Sequence, residues 1–295
     1  MAEVQDIKRR IRSVRNTRKI TKAMELVAGA RLRRAQARIE AMRPYADRMQ
    51  ELMVGTARAS RQRPGGLPLL QRREVRKAAI LALTGDRGLA GAFNAQILRH
   101  VFAVERRLRA DGVDVRWLVS GRKGSSTLRF RRYEIGQAWI GFSDRPAYSD
   151  AQAIAHHVTE LYAEEEVDSV VVVYNHFESP LVQRVVEQEI LPIPESVLES
   201  GDEAPALVGD FIYEPEPEQI LERLLPVYVE TELYRALLES AASEQGARMT
   251  AMRNASKNAA ELIESLTLAM NRARQAEITQ EILEVVAGAD ALTQS

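Results

Sequence analysis

From Val4 onward, positions 4, 7, 11, 14, 18, 21, 25, 28, 32, 35, 39, 42, 46, 49 and 53 follow at steps of three and four. All but Arg18, Thr21 and Glu25 are apolar. Three–four spacing places side chains on one stripe of an α-helix, and a stripe sustained this long is the mark of a coiled-coil seam. Some 55 helical residues extend roughly 80 Å at about 1.5 Å each, longer than a small globular domain is wide. A lone helix cannot cover such a stripe, so a partner helix is required. Around the polar interruption the apolar residues are expected to shift to Ile20, Met24 and Val27. Pro44 predicts a kink or local break, because proline lacks the N–H and crowds the preceding turn.

A second seam runs near the other end of the chain: Met252, Ala255, Ala259, Leu262, Leu266, Ala269, Ala273 and Ala276. Half of it is alanine, which lets a neighbouring helix approach closely. The segment opens at EPEPEQILERLL, where Pro215 and Pro217 suit a helix start. The simplest way to bury both seams is to pair the two terminal helices antiparallel. The stretch from Arg274 to Leu292 then sets polar residues directly before an apolar end, and chain ends of this kind need something to hold them.

Between the helices the period changes. RQRPGGLPLL (61–70) cannot continue a helix. Residues 75–84, 113–120 and 168–175 read as buried strands, with helices over 91–110, 122–131 and 150–165. Strand–helix alternation predicts a mostly parallel sheet covered by helices. ESGDEAPAL (199–207) reads as a loop. The expected fold class is α/β: a long antiparallel coiled coil of the terminal helices with an inserted Rossmann-like domain. The boundaries are 1–60 for the N-terminal shaft helix, 75–195 for the α/β domain and 211–295 for the C-terminal shaft helix.

Composition narrows the chemistry. With 45% hydrophobic and 28% charged residues, the chain can fill a core and is not disordered. The absence of cysteine removes disulfides, thiolate metal sites, cysteine nucleophiles and dithiol switches. The four histidines, at 100, 156, 157 and 176, have no carboxylate motif around them, and His156–His157 reads as part of a solvated helix. No run reaches the about 18 apolar residues needed to span a bilayer. The N-terminus lacks a signal-peptide core and reads as mature sequence. A net charge of zero hides an asymmetry: residues 1–43 carry 13 Lys/Arg and 4 Asp/Glu, and residues 160–240 carry 3 and 20. Different regions are therefore expected to meet different partners.

Two loops invite a nucleotide reading. TGDRGLAGAFN (84–94) and SGRKGSS (120–126) both follow strands, and Arg122, Lys123 and Ser125 would suit a phosphate at a helix N-terminus. Neither has G-x-G-x-x-G or P-loop spacing, and tight turns are the better reading. No catalytic constellation is visible, so no catalytic residue, cofactor or metal ligand is assigned. The basic N-terminal helix could bind nucleic acid through counterion release, but it has no aromatic residues in its basic run and keeps its helix-pairing seam. A basic helix facing an acidic protein surface fits equally well.

ITQEILEVVAGADA (278–291) resembles the terminal signature of the gamma subunit of F-type ATP synthases. IKRRIRSVRNTRKITKAMELVAGARLRRAQ (7–36), LTGDRGLAGAFN, SGRKG and residues 213–252 resemble further segments of that family, so the similarity runs along essentially the whole chain. The resemblance implies a non-catalytic central rotor stalk inside a hexamer of alpha and beta subunits, with the chemistry in beta. It implies that rotation of a membrane ring of c subunits is coupled through the shaft to the beta sites. It further implies contact with an epsilon subunit and the c-ring, membrane contact only through that ring, no nucleic acid, no cofactor, and a peripheral place on the cytoplasmic face of a bacterial membrane. A nucleotide-dependent α/β enzyme and a basic coiled-coil nucleic-acid binder are the rival readings.

Carried over position by position, the resemblance assigns beta-subunit contact and torque to Lys19, Lys22, Met24, Glu25 and Arg248. It assigns a polar catch with beta to Arg274, Gln275, Thr279 and Glu281, and c-ring contact to Tyr213 and Glu214. Leu283, Val285, Val286 and Leu292 would form the apolar bearing tip.

Overall fold

The computed structural model describes residues 2–59, 67–194, 196–199 and 216–293. Tyr213, Glu214 and the segment 199–207, apart from the end of one short helix at Glu199, lie outside the described residues. So does the environment of the Leu292 side chain.

The elements run α1 (Ala2–Ala59), a 3-10 turn (Pro68–Leu70), β1 (Lys77–Leu83), α2 (Phe93–Ala110), β2 (Asp114–Ser120), α3 (Arg122–Phe130) and β3 (Ile135–Trp139). After these come α4 (Tyr148–Ala163), β4 (Ser169–Phe177), β5 (Gln183–Leu191), the single turn α5 (Ser196–Glu199) and α6 (Pro217–Thr293). Pro44 does not end α1, nor Pro226 α6; both sit inside continuous helices. By contact the chain divides into two compact units, Met1–Val27 with Met249–Ser295, and Ala28–Arg248. Each terminal helix contributes to both.

The larger unit is built on a five-stranded sheet in the order β3-β2-β1-β4-β5. The first four strands are parallel, and β5 returns antiparallel beside β4. β1 is buried almost end to end, as a strand covered on both faces must be. Its side chains alternate between two cores. Ala79, Leu81 and Leu83 meet α4 and the Leu221–Leu237 stretch of α6, with Met49 and Met53 of α1. Ile80 and Ala82 meet α2 and α3 across Phe93, Ile97, Val101 and Leu128. The edge strands β3 and β5 are half-exposed and polar, and sequence reading passes over both. His157 departs from the solvated-helix expectation: it is half-buried, edge-on to Trp139 at 5.6 Å, and burial lowers its pKa.

The 3-10 turn and the chain entering β1 are fastened by Arg73. Its guanidinium lies 4.5 Å over the Tyr162 ring and donates to the carbonyls of Tyr162 and Val167. Asp168 accepts the backbone N–H groups of Arg76 and Lys77, both at 3.0 Å. Burial pushes the Asp168 carboxyl up, but these two bonds and Arg73 outweigh it and hold the pKa below its usual value.

Candidate interaction surfaces

In the smaller unit the N-terminal seam behaves as its spacing demands. Val4, Ile11, Thr21 and Glu25 are buried, and Ile7 and Val14 are half-buried. The expected shift onto Ile20 and Val27 does not occur. Ile20 is 60% exposed, Leu26 65% and Val27 53%, because helix period keeps positions 21 and 25 on the inner stripe whatever residue they hold. Glu25, assigned to partner contact, therefore points inward at 7% exposure. Its carboxylate takes Lys22 Nζ at 3.0 Å and Arg253 Nε at 3.2 Å. The Lys22 hydrogen bond is the largest cause lowering its pKa. Met24 is half-buried; Lys19 and Lys22 are exposed.

Glu25 meets Arg253, while the groove that Ile11 lines is floored by Ile263, Thr267 and Met270. Low numbers on α1 thus face high numbers on α6, and the helices are antiparallel. The groove, about 1100 Å³, is edged by Lys8, Arg12, Arg15, Arg18, Lys19 and Lys22. Among the described residues only Lys22 of these six has an ion-pair partner. Unneutralised cations beside an exposed apolar strip make a surface suited to an acidic protein partner with an apolar contact of its own.

The α6 seam is shifted at Leu262, Ala269 and Ala276, while Ala255 stays half-buried. Met252, Ala259, Leu266 and Ala273 face inward, but Leu262, Ala269 and Ala276 are exposed, and Ile263, Met270 and Glu277 take the inner places. Beyond them Arg274, Gln275, Thr279 and Glu281 are all exposed. They form two pairs rather than a ring. At 100° per residue Arg274 and Glu281 lie about 20° apart, Gln275 and Thr279 about 40° apart, and the pairs are separated by roughly 130°. The Thr279 hydroxyl donates to the Gln275 carbonyl at 2.9 Å. Ile282, Leu283, Val285 and Val286 are exposed apolar groups.

In the larger unit the strand order reverses between the neighbouring strands β1 and β4, and ligands of doubly wound sheets bind at the carboxyl ends of the strands at such a switch point. Here α6 fills that place. Ser243 Oγ donates to the Asn175 carbonyl at the end of β4, 3.0 Å away. The Glu244 carboxylate lies so close to Gly85, just past β1, that a Cβ there would meet it at 2.9 Å. Glu244 is ion-paired with Arg248 at 2.5 Å, and burial raises its pKa against that pairing. Arg248 itself is 7% exposed and reaches Asp144 and the Gly88 carbonyl. Arg248, assigned to beta-subunit contact, is thus held largely inside its own chain.

The second nucleotide-like feature is also occupied from within. Asp86 Oδ1 accepts the N–H of Arg122 at the start of α3 at 3.0 Å, and Oδ2 accepts those of Gly141 and Ser143 at 2.9 and 3.1 Å. A carboxylate of the chain stands where a phosphate would sit.

Antiparallel helices with basic and apolar outer faces, joined to an α/β layer whose crevice is filled by one of those helices, define a protein-binding scaffold. The ATP synthase family model matches residues 3–292. The ATP synthase gamma chain of Rubrobacter xylanophilus is 46% identical over 293 residues, covering 99% of each chain. That of Moorella thermoacetica is 47% identical over 292 residues, covering 99% of this chain and all of the other. The chain belongs to the ATP synthase gamma chain family. Among solved structures, a central stalk/c-ring chain of the Tetrahymena thermophila mitochondrial ATP synthase matches with a TM-score of 0.59 at 28% identity, covering 80% of this chain and 99% of that one. A chain of the Euglena gracilis mitochondrial enzyme shows the same fold, with a TM-score of 0.70 at 16% identity over 99% of this chain and 95% of that one.

Proposed function

We propose that this chain is the central rotor stalk of an F-type ATP synthase, coupling rotation of a c-ring to the conformations of catalytic beta subunits. The observation that carries the reading is the helix pair, with Lys8, Arg12, Arg15, Arg18 and Lys19 free of ion-pair partners among the described residues beside exposed Ile20, Leu26 and Val27. Such a surface suits acidic segments of an enclosing hexamer. Lys19, Lys22 and Met24 are the groups available for that contact; Glu25 and Arg248 act behind it by fixing the helices. The two polar pairs, Arg274 with Glu281 and Gln275 with Thr279, would meet beta at different angles of rotation. Hydrogen bonds there can be made and broken as the shaft turns. Leu283, Val285, Val286 and Leu292 would form a bearing with few directional bonds.

Tyr213 and Glu214 would touch the c-ring, and an epsilon subunit would dock on the foot. The chain itself would perform no chemistry. Among the described residues no helix is long and apolar enough to cross a membrane. We place the chain at the cytoplasmic face of a bacterial membrane, held there through the c-ring.

The test has two parts. The chain should co-purify with alpha and beta subunits, and Met24→Lys should lower protons pumped per ATP. Failure to assemble with alpha and beta would sink the stalk reading; unchanged pumping would sink the Met24 contact. The nucleotide-enzyme alternative requires micromolar ATP or NAD binding by the chain alone, which the filled crevice disfavours.

A further inference from the structure

Asp144 touches three segments of the larger unit at once, through four side chains. Its Oδ2 lies 2.6 Å from Arg31 Nη1 on α1 and 4.0 Å from Arg87 in the β1–α2 loop. Its Oδ1 accepts Gln245 Nε2 of α6 at 3.0 Å and lies 3.6 Å from Arg248 Nη1. One carboxylate oxygen therefore holds α1 and the other holds α6. Every partner is a donor, so only a carboxylate, with acceptor capacity at both oxygens, can serve both sides.

The loop that carries Asp144 is itself fixed. Gly141 and Ser143 donate their N–H groups to Asp86, and Ser143 Oγ accepts the Asp86 N–H at 2.8 Å. Gly141 takes a φ of +104°, which turns the loop back toward Asp86 and disfavours any other residue there. The grip of Asp144 is thus backed by the sheet through β1 and α3, not by a free loop. On the helix side, Arg248 is clamped further by Glu244, and Ser243 by the end of β4.

From this geometry we infer that Asp144 is a torque clamp: a positioning residue that locks α1 and α6 to the α/β layers and to each other, so that they turn as one body. The inference rests on the rotor reading. A shaft whose two helices can slip relative to the layer beneath them would lose work as twist. The clamp opposes that slip with charge-assisted bonds, which are about twice as strong as neutral ones.

Two variants separate the clamp from a general packing role. Asp144→Ala removes both grips. Asp144→Asn is nearly isosteric, but its amide must turn an NH2 toward one set of donors, so it keeps one helix and releases the other. Losing one charge-assisted hydrogen bond should make local opening about tenfold more frequent or more. Hydrogen exchange across residues 239–248 of the full chain should speed up accordingly. In inverted membrane vesicles carrying the assembled enzyme, ATP hydrolysis should persist while protons pumped per ATP fall by about twofold or more.

A merely structural role would lower assembly, so hydrolysis and pumping would fall together and their ratio would hold. An unchanged ratio in both variants overturns the inference. If Asp144→Ala fails to assemble, Asp144→Asn decides alone. Vesicles with the unaltered chain serve as reference: if their pumping does not depend on this chain, the rotor reading fails instead.

Discussion

Asp86→Asn offers a clean test of the internal anion at the α3 N-terminus. The side chain keeps its size, but one oxygen becomes an NH2 facing a backbone N–H. The amide will turn so that the NH2 replaces Oδ1 and only the Arg122 bond is lost; the opposite flip would forfeit both Gly141 and Ser143. Loss of one charged hydrogen bond costs about 1.5–3 kcal/mol, and the other two weaken as they become neutral. Asp86 is only half-buried, so solvent screening trims the sum to about 2–3 kcal/mol. For a unit of this size that is a fall of roughly 5–10 °C in melting temperature. The chain's two tryptophans report on the right region, since Trp117 and Trp139 both lie in the sheet. Thermal melts followed by their fluorescence, with unaltered chain beside the variant, measure the shift. A change below about 2 °C would show that water or neighbouring groups satisfy those N–H donors equally well.

Three further outcomes are expected. Ile263→Ala should destabilise the helix pair by about 1–2 kcal/mol while Leu262→Ala stays within about 0.5 kcal/mol, as read by far-UV circular dichroism melts; equal losses would restore the seam expected from the sequence. Glu244→Gln should remove a pH dependence. Burial raises the Glu244 pKa in the folded chain, so its contribution to stability is fully present below the unfolded value and is lost as pH rises through the folded one. The unaltered chain should then lose melting temperature relative to the variant as pH rises above the ordinary carboxylate range. Parallel curves would show that Arg248 neutralises the burial cost. Arg73→Ala should strip the cation from Tyr162 and two carbonyl partners, costing about 2–4 kcal/mol in urea titrations; a neutral result would mean that Asp168 alone fastens the chain entering β1.

What the sequence made legible follows from its periods. On α1 the three–four seam marks the inner stripe at most places to Met53, while Arg18 is exposed and the local shift onto Ile20 and Val27 fails, because the stripe follows helix period rather than the nearest apolar residue. On α6 the pairs Leu262/Ile263 and Ala269/Met270 offer two adjacent candidates, and three–four spacing alone does not choose between them. β1 and β4 carry continuous apolar runs and β2 the apolar stretch Trp117–Val119, and all three stand out. β3 and β5 are edge strands with polar alternation and do not. Glu25 and Arg248 show the limit of assigning contact by resemblance: it marks a position along a helix, not which way the side chain points. Asp86 and Asp144 were invisible because their partners lie 36 to 113 residues away, and no local spacing encodes such pairings.

These two aspartates and Glu244 change what the α/β layer is for. A doubly wound sheet offers an anion site at a helix N-terminus and a crevice where its strand order reverses. In this chain both are occupied by its own carboxylates: Asp86 takes donors from α3 and the loop after β3, and Glu244 is paired with Arg248 of its own helix. The architecture that elsewhere holds a ligand here holds a helix. Clearing the crevice should therefore loosen α6 rather than create a binding site, because Gly85, Asn175 and Asp144 have α6 groups as their partners. The same logic explains why polar residues between Glu239 and Arg248 lie buried in the middle of a helix. Apolar residues there would bury as much surface but leave the strand-end carbonyl of Asn175 and the loop acceptors Gly88 and Asp144 without these partners, at a cost of about 1–3 kcal/mol for each such group.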